Sequence, residues 1–222
     1  MANVQSQIPE VVIFRLPTYL YMLSLLTEER IEVVSSQELG ARLQMTPAQI
    51  RKDLSYFGRF GKQGKGYHVK TLSEELRKIT GLDQEWNMAL IGVGKIGKAL
   101  LDYGNLALRG FKIVAAFDID PQLVGKKMGK VVIQDVCELA QAVQQKDIRI
   151  GVVAVPPTQV QKAVDSLVQC GIKAILSYYP VAATVPPDVR VRRVDPMFAL
   201  QTMTYCLTSG CRNWPSSTTS RP

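Results

Sequence analysis

Trp86-Asn87-Met88-Ala89-Leu90-Ile91-Gly92-Val93-Gly94-Lys95-Ile96-Gly97 is an apolar run that ends in G-x-G-x-x-G and passes into a helical pattern. The first glycine permits a tight strand-to-helix turn, the second lets backbone N–H groups approach a pyrophosphate, and the third lets helix and strand pack closely. The anion would sit at the positive end of the helix. The motif alone is weak, so its surroundings decide. Phe111-Lys112-Ile113-Val114-Ala115-Ala116-Phe117 reads as a second buried strand and ends in Asp118, 21 residues beyond Gly97. A carboxylate about 20 residues after the glycines is placed to grip a ribose diol. Asp120 is a rival, but beside Pro121 it reads as a turn residue. The plain alternative, a glycine turn without a ligand, leaves the downstream acid unexplained.

Strand and helix patterns continue to alternate beyond this unit. Pro121 to Lys130 reads as a glycine-bearing loop, Val131-Val132-Ile133 as a short strand and Val136 to Val143 as a helix. Ile148 to Val155 is the longest buried strand, stopped by Pro156-Pro157; Thr158 is expected to cap the next helix, which stops at Gly171. Ala174-Ile175-Leu176-Ser177 is a further strand before Tyr178-Tyr179-Pro180 turns away. Alternation of this kind predicts right-handed crossovers and an α/β, Rossmann-type doubly wound parallel sheet. Ligands of such sheets lie beyond the carboxyl ends of the strands. The expected lining is therefore Gly92, Val93, Gly94, Lys95, Ile96, Gly97, Asp118, Ile119, Val155 and Pro156.

Upstream, Tyr19, Leu20, Met22, Leu23, Leu25 and Leu26 mark a first helix from Thr18 to Leu26. Ser35-Ser36-Gln37-Glu38 has the spacing of a capping box, opening a short helix with Leu39 and Leu43 inward. At Gln44-Met45-Thr46-Pro47 that helix stops and another starts, with Thr46 as N-cap, Pro47 at the first helical position and Gln49 completing a second capping box. Two capped helices joined by a tight turn are a helix-turn-helix. The third helix, Pro47 to Phe57, buries Ile50, Leu54 and Phe57 and leaves Gln49, Arg51, Lys52 and Ser55 outside. Arg51 can bond guanine, Gln49 can pair with adenine, and Lys52 and Ser55 suit phosphate.

A wet helix face would look the same, and the next segment distinguishes the two. Gly58 to Lys70 is glycine-rich and basic, the pattern of a hairpin wing. From Arg51 to Lys70 the cations Arg51, Lys52, Arg59, Lys62, Lys65 and Lys70 face the single acid Asp53. Most of the chain's charge excess is thus concentrated on a winged helix-turn-helix, which points to DNA; a protein-binding winged helix is the alternative. Leu72 to Leu82 reads as one more helix with Leu76 and Ile79 inward, and His68, the only histidine, reads as structural or surface.

The 222 residues are 46% hydrophobic and 21% charged, as in an ordinary globular protein, and the net charge is +8. The expected division is a DNA-binding domain at 1–84, a nucleotide domain at 85–195, a helix at 196–210 and a disordered tail at 211–222. Cys137, Cys170, Cys206 and Cys211 form no C-x-x-C pair and have no neighbouring histidines, which argues against zinc and for a reduced cytoplasmic protein without a metal. Arg15 and Pro17 interrupt the apolar Val11 to Phe14, so no membrane span or signal peptide is expected. Near the end, Met197, Leu200, Met203 and Leu207 fall on one helical stripe that packs within its own subunit or against a partner chain.

Taken together, Arg15-Leu16-Pro17, Ile50-Arg51-Lys52-Asp53-Leu54-Ser55-Tyr56-Phe57-Gly58, Gly64-Lys65-Gly66-Tyr67, Ile91-Gly92-Val93-Gly94, Ala116-Phe117-Asp118, Ala154-Val155-Pro156, Gly171 to Leu176 and Val194-Asp195 resemble the Rex family of redox-sensing transcriptional repressors. The resemblance runs from about Arg15 to Leu207. It implies a homodimer with a domain-swapped C-terminal helix, binding a pseudopalindromic operator DNA and released by NADH, with NAD+ competing for the same site. It further implies a switch network of Asp195 and Tyr103 near the nicotinamide. Two departures stand out: Tyr21 where family members often carry an arginine that pairs with Asp195, and Ser177 where asparagine is usual. A nicotinamide-dependent dehydrogenase is the competing class, but the nucleotide half has no histidine and no Y-x-x-x-K pair to serve as acid or base. A coenzyme A domain is a second competitor, against which Asp118 argues.

Overall fold

The computed structural model describes residues 8–62 and 65–210, and the chain divides after Asp83 into two compact units. The first holds α1 (Glu10–Glu28), β1 (Val33–Val34), α2 (Ser36–Leu43), α3 (Pro47–Ser55), β2 (Gly61–Lys62), β3 (Gly66–His68) and α4 (Val69–Ile79). β1, β3 and β2 form an antiparallel three-stranded sheet in that order. The Ser35–Glu38 capping box is complete: the Glu38 N–H donates to Ser35 Oγ at 3.0 Å and the Ser35 N–H donates to Glu38 Oε2 at 2.9 Å. Gln44 ends α2 in the left-handed region at φ 54°, and Thr46 Oγ1 accepts the Gln49 N–H to start α3. This turn is tight enough that a Cβ on Gly40 would meet the Met45 carbonyl oxygen at 2.5 Å.

The first helix differs from expectation. α1 starts at Glu10, not Thr18, and runs through Pro17. A helix-interior proline costs about 3 kcal/mol, but Val12, Leu16, Tyr19, Leu23 and Leu26 form one continuous buried stripe across it. Burying a side chain of that size contributes about 1.5–3 kcal/mol, so the stripe outweighs the break. By length and composition α1 could cross a membrane; its buried stripe instead joins Leu39, Ile50, Leu54, Leu72 and Leu76 in the core of this unit. Ile79, expected inward, is exposed, and Val69, Leu72 and Leu76 carry the inner face of α4.

The second unit holds β4 (Trp86–Ile91), α5 (Lys95–Asp102), α6 (Asn105–Leu108), β5 (Phe111–Asp118), β6 (Lys127–Met128), β7 (Val131–Asp135), α7 (Leu139–Gln145), β8 (Ile148–Val153), α8 (Val160–Gln169), β9 (Ala174–Ser177), β10 (Arg190–Arg193) and α9 (Pro196–Ser209). The sheet order is β10-β9-β8-β4-β5-β7-β6. Neighbouring strands run parallel except the β6–β7 pair. Without β6 this is the 3-2-1-4-5-6 order of a doubly wound dinucleotide fold. β4 sits centrally and sends alternate residues to opposite faces: Ala89 and Ile91 pack with Phe117, Leu139 and Leu167, whereas Met88 and Leu90 pack with Ile133, Val152 and Ile96.

Two local expectations are corrected, and one strand was not foreseen. β8 ends at Val153 and, at six residues, is shorter than the eight-residue β5, although the Ala154 N–H still donates to the Ile91 carbonyl at 2.8 Å. Thr158 makes no cap: Pro157–Gln159 forms a 3-10 turn, and α8 begins after it without a side-chain cap. Arg190–Arg193 is a strand, pairing on one side only with β9. Gly64, Cys211 and the 211–222 tail lie outside the described residues.

Candidate functional site

β4 and β8 lie side by side while their chain connections run to opposite sides of the sheet, and a crevice opens above their carboxyl ends. The cleft there has a volume of about 440 Å³. Gly92, Gly94, Lys95, Ile96, Asp118, Ile119, Val155 and Pro156 line it. Gly92 turns at φ 94°, where a Cβ would meet the Ala154 carbonyl oxygen at 2.7 Å, so the glycine is required by both conformation and space. Gly97, expected in the lining, is buried and packs α5 on the turn instead: a Cβ there would lie 2.1 Å from the Gly92 carbonyl oxygen. Gly94 is different: a Cβ there would meet nothing within 4 Å. Its missing side chain leaves open space at the N-terminus of α5, the room a pyrophosphate needs. The residues therefore fit a dinucleotide.

Asp118 ends β5 beside this turn. Its Oδ2 accepts the Val93 N–H at 2.7 Å and its Oδ1 accepts the Asp120 N–H at 3.0 Å. Val93 itself is buried and reaches the site through its backbone. Asp120 also borders the cleft, but its side chain accepts the Gln122 N–H and its carbonyl accepts the Leu123 and Val124 N–H groups, forming a turn. Sequence reasoning missed Gln159, Lys162 and Ser166, which border the cleft from α8 and the turn before it. Their i, i+3, i+7 spacing after β8 was the available signal. Tyr103 and Asp195 are not in the cleft lining. Tyr103 is 52% exposed at the end of α5, and Asp195 caps α9 by accepting the Met197 N–H at 2.9 Å.

In the first unit, Arg51, Lys52, Ser55, Arg59 and Lys65 are exposed. Arg51 Nη1 donates to Ser36 Oγ at 2.9 Å, and Ser55 Oγ donates to the Lys52 carbonyl. Lys62 belongs to β2 by its backbone; its side chain lies outside the described residues. Gln49 corrects the expectation. It does not close a capping box with Thr46, and its Nε2 donates inward to Asp53 Oδ1 at 2.7 Å.

Asp53, the lone acid of the basic stretch, is fully buried. Arg15 Nε and Nη2 donate to it at 2.6 and 2.8 Å, and the Tyr19 hydroxyl donates at 2.6 Å. Burial opposes its charge, yet the bonds from Arg15, Tyr19 and Gln49 hold the carboxyl below the usual range. Burial, and next the bond to Asp53, push the Tyr19 hydroxyl well up. The pairs Arg15/Tyr19 and Gln49/Asp53 are each four apart, a helical spacing that puts each pair on one face but carries no sign that the two faces meet. Among the described residues no group of three or more His, Cys, Asp or Glu could hold a metal ion.

Residues 7–55 match the family described as putative DNA-binding protein N-terminus, and residues 83–181 match the CoA binding domain. The redox-sensing transcriptional repressor Rex of Chloroflexus aggregans is 49% identical over 202 residues, covering 91% of this chain and 95% of its own length. The chain belongs to the Rex family. Rex of Roseiflexus sp. is 44% identical, covering 90% of each chain. Among solved structures, the Rex-family repressor RSP in complex with beta-NAD+ and operator DNA is 38% identical with a TM-score of 0.87, covering 91% of this chain and 93% of its own. RSP in complex with beta-NADH is 35% identical with a TM-score of 0.83, covering 92% and 96%. Of the two departures from the Rex pattern, Tyr21 is exposed on α1 and Ser177 is buried at the end of β9. There Ser177 Oγ donates to the Tyr179 carbonyl at 3.3 Å and accepts the Tyr179 N–H at 3.4 Å.

Proposed function

We propose that this chain is a cytoplasmic transcriptional repressor that senses the NADH/NAD+ ratio, binds a pseudopalindromic operator as a homodimer and is released by NADH. The observation that carries this reading is the pairing, in one Rex-family chain, of a basic winged helix-turn-helix with a glycine-turn cleft at the switch point of a dinucleotide sheet. The domain bounds follow: 1–84 for DNA, 85–195 for the dinucleotide, 196–210 for dimerisation.

In this reading Asp118 holds the adenosine ribose diol, and the α5 N-terminus at Gly94 and Lys95 faces the pyrophosphate. The backbone at Val155 and Pro156 lies along the cleft, and Tyr103 and Asp195 approach the nicotinamide in the assembled dimer. Arg51 reads bases, with Lys52, Ser55, Arg59, Lys62 and Lys65 on phosphates. α9 supports the dimer: Met197, Leu200, Met203 and Leu207 are exposed, Leu207 to 75%. An apolar helix face of this kind calls for a second chain, and a swapped helix supplies one. Two reading helices must match half-sites one helical turn or its multiples apart, so a ligand-driven change of their spacing weakens contacts on both sides together. The dinucleotide is a sensed ligand, not a turned-over substrate.

A gel shift on an AT-rich palindromic duplex tests this. NADH should abolish the shifted band, and excess NAD+ should restore it. A band equally intense with and without saturating NADH would contradict the proposal.

A further inference from the structure

We infer that Asp53, held by Arg15 and Tyr19 of α1, is a positioning residue that sets the pose of the reading helix, and that Gln49 serves this cluster and reads no base. The inference rests on the DNA-binding reading above.

α3 has nine residues and buries Ile50 and Leu54 on its apolar side. Such contacts are non-directional, so they hold a short helix down without fixing its rotation or slide. The Asp53 cluster is directional. A carboxylate offers about four acceptor positions, and here four bonds fill them: two from the Arg15 guanidinium, one from the Tyr19 hydroxyl and one from the Gln49 amide. The planar two-point grip of a guanidinium fixes angle as well as distance. Buried ion pairs add little stability over well-packed apolar groups, so this one is better explained by the geometry it imposes. It also encloses the one negative charge on a helix that faces phosphates. Gln49 commits one of its two amide hydrogens to Asp53 at 2.7 Å, which ties its side chain to the buried cluster.

The test is selection from a randomised duplex DNA library, sequenced before and after binding, with thermal unfolding in parallel. Three variants are compared with the wild type: Gln49→Met, Tyr19→Phe, and the double variant Arg15→Leu/Asp53→Leu. The double variant should remain folded, with a lower unfolding temperature because the Tyr19 hydroxyl loses its acceptor, while its preference for the selected sequence over random DNA falls about tenfold, as for one mismatched base pair. A folded double variant with undiminished preference overturns the inference. If it does not fold, Tyr19→Phe decides, because it keeps the ring and removes one bond. Its preference should fall measurably, and an unchanged preference overturns the inference. Gln49→Met should flatten the preference evenly along the half-site; loss confined to a single adenine position shows Gln49 reading a base and overturns it. If the wild type itself enriches no sequence, the DNA-binding reading fails, a result distinct from any of these.

Discussion

Gly94→Ala should separate dinucleotide binding from folding. The new Cβ meets no atom within 4 Å and the backbone sits at φ −71°, a value any residue adopts. Gly94 is the N-cap of α5, and alanine is a poorer cap than glycine, so the folding cost is a fraction of about 1 kcal/mol, or roughly 2–4 °C at most for a chain of this size. The methyl group instead enters the space left for a pyrophosphate. Displacing one charge-assisted hydrogen bond costs about 1.5–3 kcal/mol, which is about a tenfold to hundredfold loss of NADH affinity. Gly97→Ala is the contrast: its Cβ would lie 2.1 Å from backbone, so helix and strand must separate and stability must fall. Titration by NADH fluorescence, beside a thermal melt of each variant, makes the measurement. The reasoning fails if Gly94→Ala binds NADH as tightly as the wild type, or if it melts as early as Gly97→Ala.

Asp118→Ala should weaken NADH and narrow any discrimination against NADPH, since the carboxylate that grips an unphosphorylated ribose would be gone; competition binding with both coenzymes measures this. Arg51→Ala should weaken binding and relax base preference at about 1–3 kcal/mol, whereas Lys65→Ala should lower affinity across sequences and reduce the salt slope by about 1; binding isotherms at several salt concentrations distinguish them. The first unit should also lose stability in acid. Asp53 carries a lower pKa folded than unfolded, so its contribution is complete above about pH 4 and is lost as pH falls through the folded value. Tyr19 is shifted the other way, and its contribution is complete below about pH 10 and declines as pH rises beyond it. Denaturation followed against pH should show both edges, and Asp53→Asn should shrink the acid one, to which Glu29 and Glu38 also contribute.

The elements that announced themselves in the sequence are those governed by local chemistry. The glycine turn, the buried strands on either side of it and the Ser35–Glu38 box depend on spacing within a dozen residues or fewer, and spacing is visible. What stayed hidden depends on partners distant in the chain. Pro17 reads as a stop until Leu16, Tyr19, Leu23 and Leu26, on either side of it, are known to share one core. Arg190–Arg193 is too basic to look like a strand, and its basic residues are acceptable because the strand is an edge paired only with β9. Gln49 pointed outward by periodicity, and only the fold brings Asp53 under Arg15, 38 residues away in sequence. The cleft followed the same division: its glycine and acid wall was legible, whereas Gln159, Lys162 and Ser166 required knowing which helix flanks the crevice.

The linkage between the two ligands offers the most direct test of the central claim. Because coupling between sites is reciprocal, the factor by which NADH weakens operator binding must equal the factor by which operator DNA weakens NADH binding. Measuring NADH affinity by fluorescence with and without a saturating operator duplex, and operator affinity with and without NADH, gives both numbers. The account predicts two equal factors, each well above one. Two factors of one, with both ligands bound, would contradict it.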